Sequence, residues 1–455
     1  MTGPGTRLAH SSLGALPGGV VAPGYDREAP ALGIVHFGIG AFHRAHQAWY
    51  TDRAIDAGER PWAITGISLR SADVAQQMNP QDGFYTVTER SGAGVQTRLV
   101  AAVREVLVAP RERQAVIDRL AAPGTHIASL TITEKGYCRA ADGSLDPALA
   151  GEGSVFALLA AGLRRRHDEG ACGLTLLSCD NLADNGRQLA RLMGEYLERH
   201  DPALVQWFEA ECTCPSTMVD RIVPATTAED RAEVAARIGL VDQAAVVTEP
   251  FSQWVIEDHF AGPRPRWDRA GAELVRDVAP YETAKLRMLN GAHSALAYIG
   301  LAHGHRYVHE AVANPAIRPL IEALLREEAA PTVAAAPGQN LGAYADALVD
   351  RFANPALNHR LIQIAMDGSQ KIPQRWLDTL AANQRMGREC PAILQGIAAW
   401  LRHLRGMNGP VDDPRAAELI AAASSADPLA ALFGPAGLFA SAWAPQAADR
   451  IIGRA

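Results

Sequence analysis

The sequence predicts an α/β domain on a largely parallel sheet, followed by a mainly α-helical domain. Three observations carry that expectation. Short apolar runs alternate with helical stretches up to about residue 215, the first of these runs ends in a glycine turn that opens a helix, and from Pro280 onward the pattern is helical. At 455 residues the chain has room for roughly two to three domains.

Residues 1–30 form a Gly/Pro-rich arm. Gly33–Gly38 (GIVHFG) reads as a buried strand, Gly38-Ile39-Gly40 as a tight turn, and AFHRAHQAWYTDRAIDAG as a helix. Further strands are expected at Trp62–Leu69, Phe84–Thr88, Ile127–Thr133 and Leu174–Ser178, with helices at Arg111–Leu120 and Val155–Arg166 between some of them. The pattern changes after Cys214-Pro215. An extended stretch at Val246–Ile256 follows, and then helices that Pro315, Pro331, Pro355 and Pro373 should cut apart. The domains are therefore drawn as 31–215 and 216–455, although the pattern allows a boundary anywhere from about 215 to 280.

The balance of 43 basic against 50 acidic residues gives −7, which argues against a nucleic-acid or membrane-surface partner. No apolar run reaches the length of a membrane span, and the Gly- and Pro-broken N-terminus does not read as a secretory signal. The six cysteines show no regular framework, so a reduced, cytoplasmic setting is expected. Only three of the basic residues are lysine: Lys135, Lys285 and Lys371. Lysine can lose its proton when desolvated and arginine cannot, so these three positions draw notice.

Gly38 and Gly40, between a strand and a helix, start a dinucleotide fingerprint, with Ile39 and Phe42 in the same turn. The third glycine of that fingerprint is replaced by His43. After the second strand, where the adenosine ribose is read, stand both Arg70 with Ser71 and Asp73, which leaves NAD against NADP open. From Pro280 one helix carries Lys285, Asn290 and His293. At about 100° per residue they fall near 0°, 140° and 80°, a fan on one side. A lysine amid apolar neighbours can serve as a general base, an asparagine can donate to a developing alkoxide, and the histidine can orient substrate. Tyr281 is expected to pack rather than react. Ser178-Cys179-Asp180-Asn181 follows an apolar run and puts Asn181 at a sheet edge where ligands bind, or at a helix start. Lys135 and Lys371 sit in polar turns. His43 with His46, and His303, His305 and His309, match no familiar zinc spacing, so no metal is expected.

The segments GIVHFGIGAFHRAHQAWYTD, SLTITEKGY, SCDNLADNG, MVDRIVP, EPFSQWVIED, KLRMLNGAHSALAYIG and AMDGSQKIP, in this order, closely resemble the mannitol dehydrogenase family of long-chain polyol dehydrogenases, which includes fructuronate reductases. The resemblance runs from about residue 31 to at least 380. It implies a Rossmann-type dinucleotide-binding domain, a mainly helical C-terminal substrate domain, and metal-independent hydride transfer with NAD, NADP being left open. The family's K-x4-N-x2-H motif falls on Lys285, Asn290 and His293, making Lys285 the general base. Its paired asparagine falls on Asn181, which with Asn290 would hold the reacting oxygen, and Asp220 and Lys371 match positions near the substrate. TEKGYC around Lys135, DGFYTVTER and RLVAAVREVLVA resemble the uronate reductases, which implies D-fructuronate/D-mannonate as substrate, with a cation at Lys135 for its carboxylate. A neutral polyol such as mannitol or arabinitol is the alternative, and a nicotinamide-binding sensor without turnover is a remote one. A monomer or weak homo-oligomer is expected.

Overall fold

The structure, a computed structural model, describes residues 5–449 apart from 30, 60, 357, 434, 435, 447 and 448. Its contacts divide the chain into two compact units, Met1–Val278 and Ala279–Ala455.

The first unit is built on five parallel strands: β1 Leu32–Phe37, β2 Trp62–Ser68, β3 Val103–Val108, β4 Thr125–Leu130 and β5 Thr175–Ser178. Their order is β3-β2-β1-β4-β5. The chain steps outward from β1 to β3, then returns to the other side of β1, so the order reverses between β1 and β4. In doubly wound sheets the ligand crevice lies at that reversal, outside the carboxyl ends of the strands. The strands read as apolar runs because both faces are covered. Along β1, Ile34 packs into one apolar cluster with Trp49, Tyr50 and Trp62. Val35 and Phe37 pack into another, with Leu120, Leu159 and Leu189 of three helices.

Two smaller sheets complete this unit. A hairpin of Tyr85–Ser91 and Gly94–Val100 is flanked by Val20–Val21 and Val246–Thr248. Gln253–Glu257 lies between Thr217–Asp220 and Glu273–Val275. The contacts divide the chain at Val278/Ala279, inside the range from about 215 to 280 that the sequence leaves open. Residues 216–278 supply Val219, Trp254, Ile256 and Trp267 to the same core as Ile34 and Trp62. The N-terminal arm is also no free tail: Leu8 and Val20 are buried against Phe84, Leu99 and Ile238.

Two buried polar devices hold this unit together. Arg221 donates to the carbonyls of Ala45 and Glu249, pairs with Glu89 and lies over the Trp49 ring at 4.5 Å. His36, inside β1, bonds Ser129 Oγ of β4 at 2.8 Å, Thr131 Oγ1 at 2.9 Å and Gly38 O at 3.3 Å. Its ring stacks on that of His43 at 3.3 Å between centroids. Burial pushes the His36 pKa down to about 3 and drives that of His43 well below its ordinary value, so both rings are neutral.

The second unit is helical. Gly291–Ala302 runs through its middle, buried from Gly291 to Gly300, and packs against Pro391–Leu404 and Leu361–Ile364. A helix apolar on all sides belongs in such a core. Three stretches wind as π-helix: Lys285–Asn290, Leu324–Ala329 and Pro373–Leu377. Pro373 was expected to break a helix. Instead it opens the third π stretch, and winding continues from Gly368 through to Arg385. Proline removes one i→i−4 bond and crowds the preceding turn, and a local switch of hydrogen-bond register absorbs both.

Arg221→Met leaves two buried carbonyls and Glu89 without their donor, so stability should fall by about 3 kcal/mol, read from urea denaturation, and lysine should restore little of it. The histidines set a pH dependence. Below the unfolded value of about 6.5 the unfolded chain takes up protons at His36 and His43 that the folded chain refuses. Stability is therefore full above that pH and falls as pH drops, by about 1.4 kcal/mol per pH unit for each ring. Denaturation midpoints at pH 7.5 and 5 should differ accordingly, and a His36→Asn variant should show a shallower slope.

Candidate active site

The glycine turn is built from the end of β1. Gly38 takes φ +95°, and a Cβ on it would lie 2.0 Å from Thr131 O, so no other residue fits. Its N–H donates to Ile67 O at 2.9 Å, and its carbonyl accepts from Thr131 Oγ1 at 2.8 Å. Ile39 is buried, with its side chain against Gly66, where a Cβ would meet it at 2.8 Å. Gly40 differs from both. Its φ is −75°, and a Cβ there would come no nearer than 3.9 Å to any atom except those of its neighbours. Nothing in the protein requires glycine at 40, so the open space above it suits a close-approaching ligand.

Gly40 caps the short helix Ala41–Ala45, and after a kink at His46 the chain winds again over Gln47–Asp56. Phe42 stacks on His46 at 5.1 Å, and His46 bonds Gln253 O at 3.0 Å. His43, the residue at the third fingerprint position, lies on the helix Ala41–Ala45. The ring is wholly buried against His36 and supports the turn from below. Past β2, Arg70 and Asp73 are both exposed, and Asp73 opens the helix Asp73–Met78.

Two sequence motifs meet around Asp180. Its carboxylate accepts from Ile132 N at 3.0 Å, Thr133 N at 2.8 Å and the Tyr137 hydroxyl at 2.9 Å. Tyr137 also bonds Ser178 Oγ. These bonds hold Thr133 at φ +63°, a strained conformation for a β-branched residue. Lys135 stands exposed on the single turn Thr133–Gly136 that follows. Asn181 is exposed just beyond Asp180. The next helix begins only at Asn185, so Asp180 and Asn181 do not cap it. Sequence reasoning missed Asn185, which is fully buried. It donates to Asp180 O and Thr217 O at 3.0 and 2.9 Å and accepts from Thr217 N at 2.9 Å. It ties the end of β5 to the strand that ends in the buried Asp220. An asparagine in D-N-L-A-D-N could have signalled it, but nothing in the spacing separates it from Asn181.

In the second unit, Lys285 and Asn290 are the first and last residues of a π stretch, and His293 follows in the α-helix. An i→i+5 winding brings residues five apart nearly into line, so Lys285 and Asn290 lie closer on the helix face than regular α-helical spacing allows. Both are partly exposed. The widened turn is supported from the Pro373–Leu377 stretch. Trp376 Nε1 donates to Gly291 O at 3.0 Å, and Arg375 Nη1 donates to Ser294 Oγ at 2.8 Å and Asn290 O at 3.3 Å. His293 is buried between Phe352 (4.7 Å) and His359 (5.4 Å). Burial, and then the charges of His359, Arg351 and Arg375, hold its pKa well below the usual value. Lys371 Nζ donates to Met366 O at 2.5 Å and Ile364 O at 3.3 Å, with Asp367 at 3.9 Å. Burial, and then Arg375, lower its pKa. Among the described residues, no group of three or more His, Cys, Asp or Glu is placed to hold a metal ion, and no helix is long and apolar enough to cross a membrane.

The chain is similar to known proteins. Residues 32–269 match the mannitol dehydrogenase Rossmann domain, and residues 277–438 match the mannitol dehydrogenase C-terminal domain. D-mannonate oxidoreductase of Escherichia coli (strain K12) is 40% identical over 453 aligned residues, covering 94% of this chain and 93% of its own. Mannitol 2-dehydrogenase of Phaeosphaeria nodorum is 37% identical, covering 89% of this chain and 75% of its own. Pseudomonas fluorescens mannitol 2-dehydrogenase, solved as a ternary complex with NAD and D-mannitol, superposes with a TM-score of 0.80 at 35% identity, covering 95% of this chain and 93% of that one. The chain belongs to the mannitol dehydrogenase family of oxidoreductases.

Proposed function

We propose that this protein is an NAD-dependent dehydrogenase that interconverts a secondary alcohol and a ketone on a sugar acid, D-mannonate and D-fructuronate. The observation that carries the reading is the π stretch that gathers Lys285 and Asn290 on one helix face, with neutral His293 a turn beyond. The likeness along nearly the whole chain to a D-mannonate oxidoreductase supports the substrate. The likeness to mannitol 2-dehydrogenases favours a neutral polyol as the second reading.

The residues present fit a dinucleotide. Gly38 and Gly40 would hold its pyrophosphate at the turn, with Arg70 or Asp73 at its ribose. When bound, the nicotinamide supplies the hydride acceptor. Lys285 takes the proton from the substrate hydroxyl as the general base. Asn290 donates amide N–H groups to the substrate oxygen as negative charge grows there, the role that the family resemblance also gives Asn181. Uncharged His293 offers a ring nitrogen to orient a hydroxyl without competing for the proton. Asp220 and Lys371 complete the substrate contacts. Asn185 and Asp180 act on Asn181 and the Thr131–Tyr137 turn by positioning.

Lys285→Ala should lower kcat by a factor of about 10²–10⁴ with the Kd for NADH kept within about twofold, measured by nicotinamide absorbance and fluorescence titration. Turnover near wild type sinks the assignment of the base. Gly40→Ala should leave thermal stability within about 0.5 kcal/mol, because its Cβ meets no clash, yet raise the Kd for NADH about tenfold. Loss of stability with unchanged affinity would give Gly40 a folding role instead.

A further inference from the structure

The second unit carries a cation that no carboxylate answers among the described residues. Arg375 is partly buried, and its two hydrogen bonds both leave from Nη1, to Ser294 Oγ and Asn290 O. Among the described residues, Nε and Nη2 have no hydrogen-bond partner, and no carboxylate lies within ion-pair reach. Two more deeply buried arginines are matched. Arg221 has Glu89 and two carbonyls, and Arg166 has the carbonyls of Leu120, Ala122 and Cys172. Burial draws the Arg375 pKa down to about 10, with only the Tyr298 phenol acting to raise it. Lys371 stands four residues earlier, and Arg375 helps to lower its pKa while Asp367 and Asp413 raise it. Lys371 has Asp367 at 3.9 Å, whereas the partly desolvated Arg375 guanidinium, beside the backbone of Asn290, is costly unless an anion joins it.

We propose that Arg375, with Lys371 beside it, binds the carboxylate of the sugar-acid substrate and so selects sugar acids over neutral ketoses. This rests on the sugar-acid reading above and names its recognition element. The bond from Nη1 to Asn290 O fixes one corner of the planar guanidinium, and the remaining N–H groups form the fork that matches a carboxylate in two parallel hydrogen bonds. The same bond sets the fork next to the residue that holds the reacting oxygen. Lys135, exposed on its own turn of the first unit, is the competing cation.

The test compares the wild type with Arg375→Gln, Arg375→Lys and Lys135→Ala. It uses NADH-dependent reduction of D-fructuronate and D-fructose, calorimetric binding of D-mannonate, and NADH titration. R375Q should lower kcat/KM for fructuronate about 30-fold more than for fructose, the excess mainly through KM, with NADH affinity within about threefold. R375K keeps the charge without the fork and should lose about tenfold on the acid alone. An equal loss on both substrates overturns the proposal, because Arg375 then only braces the π turn. So does acid turnover that survives R375Q, or a larger loss in K135A. If wild type neither binds D-mannonate nor reduces fructuronate, the sugar-acid reading itself fails and Arg375 falls with it.

Discussion

The first unit depends on a backbone contact that only glycine allows. Gly38 presses against Thr131 O, and His36 lies beneath, bonded to Gly38 O, Thr131 Oγ1 and Ser129 Oγ. This contact closes the carboxyl ends of β1 and β4 at the point where strand order reverses. It sets the turn through which Gly40 faces open space. It also places Thr131 at the head of the segment that Asp180 then clamps. A buried neutral imidazole suits the position, because it can bond at both nitrogens without carrying a charge.

Much of the first unit was legible in the residues. Central strands covered on both faces read as apolar runs, and β1, β2 and β5 lie within one residue, and β4 within three, of where such runs place them. The strand Val103–Val108 was not legible, because RLVAAVREVLVA runs two strands together with only two residues between them. The domain boundary was illegible for another reason. The Cys214-Pro215 break is a true interruption of pattern, but whether a segment joins the core before it or after it is decided by packing, and Trp254 and Trp267 pack backward. Gly38 and Gly40 look alike in sequence. The structure separates them, since one is demanded by the fold and the other is not.

In the second unit, rarity was the sequence's guide. Three lysines among 43 basic residues stand out, and all three entered the candidate site. Arg375 could not be found this way, being one arginine among many. What marks it is a guanidinium held by Nη1 against Asn290 O, with no partner for Nε and Nη2 among the described residues, and that is a property of the folded neighbourhood. His36 was passed over for a similar reason. A histidine in an apolar run looks like filler until its three partners are brought around it.

The winding of the Lys285 helix bears on how its motif is to be counted. In a regular α-helix, residues that share a face are three or four apart, so a functional pair separated by five would point in different directions. Here the five-residue interval suits the π register over Lys285–Asn290. The interval therefore records one residue more than an α-helical version of the same face requires. Deleting a single residue inside that interval would not shorten a spacer. It would return the stretch to α register, carrying the lysine and asparagine in step while stranding the Asn290 and Gly291 carbonyls that now accept from Arg375 and Trp376. The length of the motif and the brace from Pro373–Leu377 thus constrain each other, and an insertion or deletion in one is tolerable only with a matching change in the other.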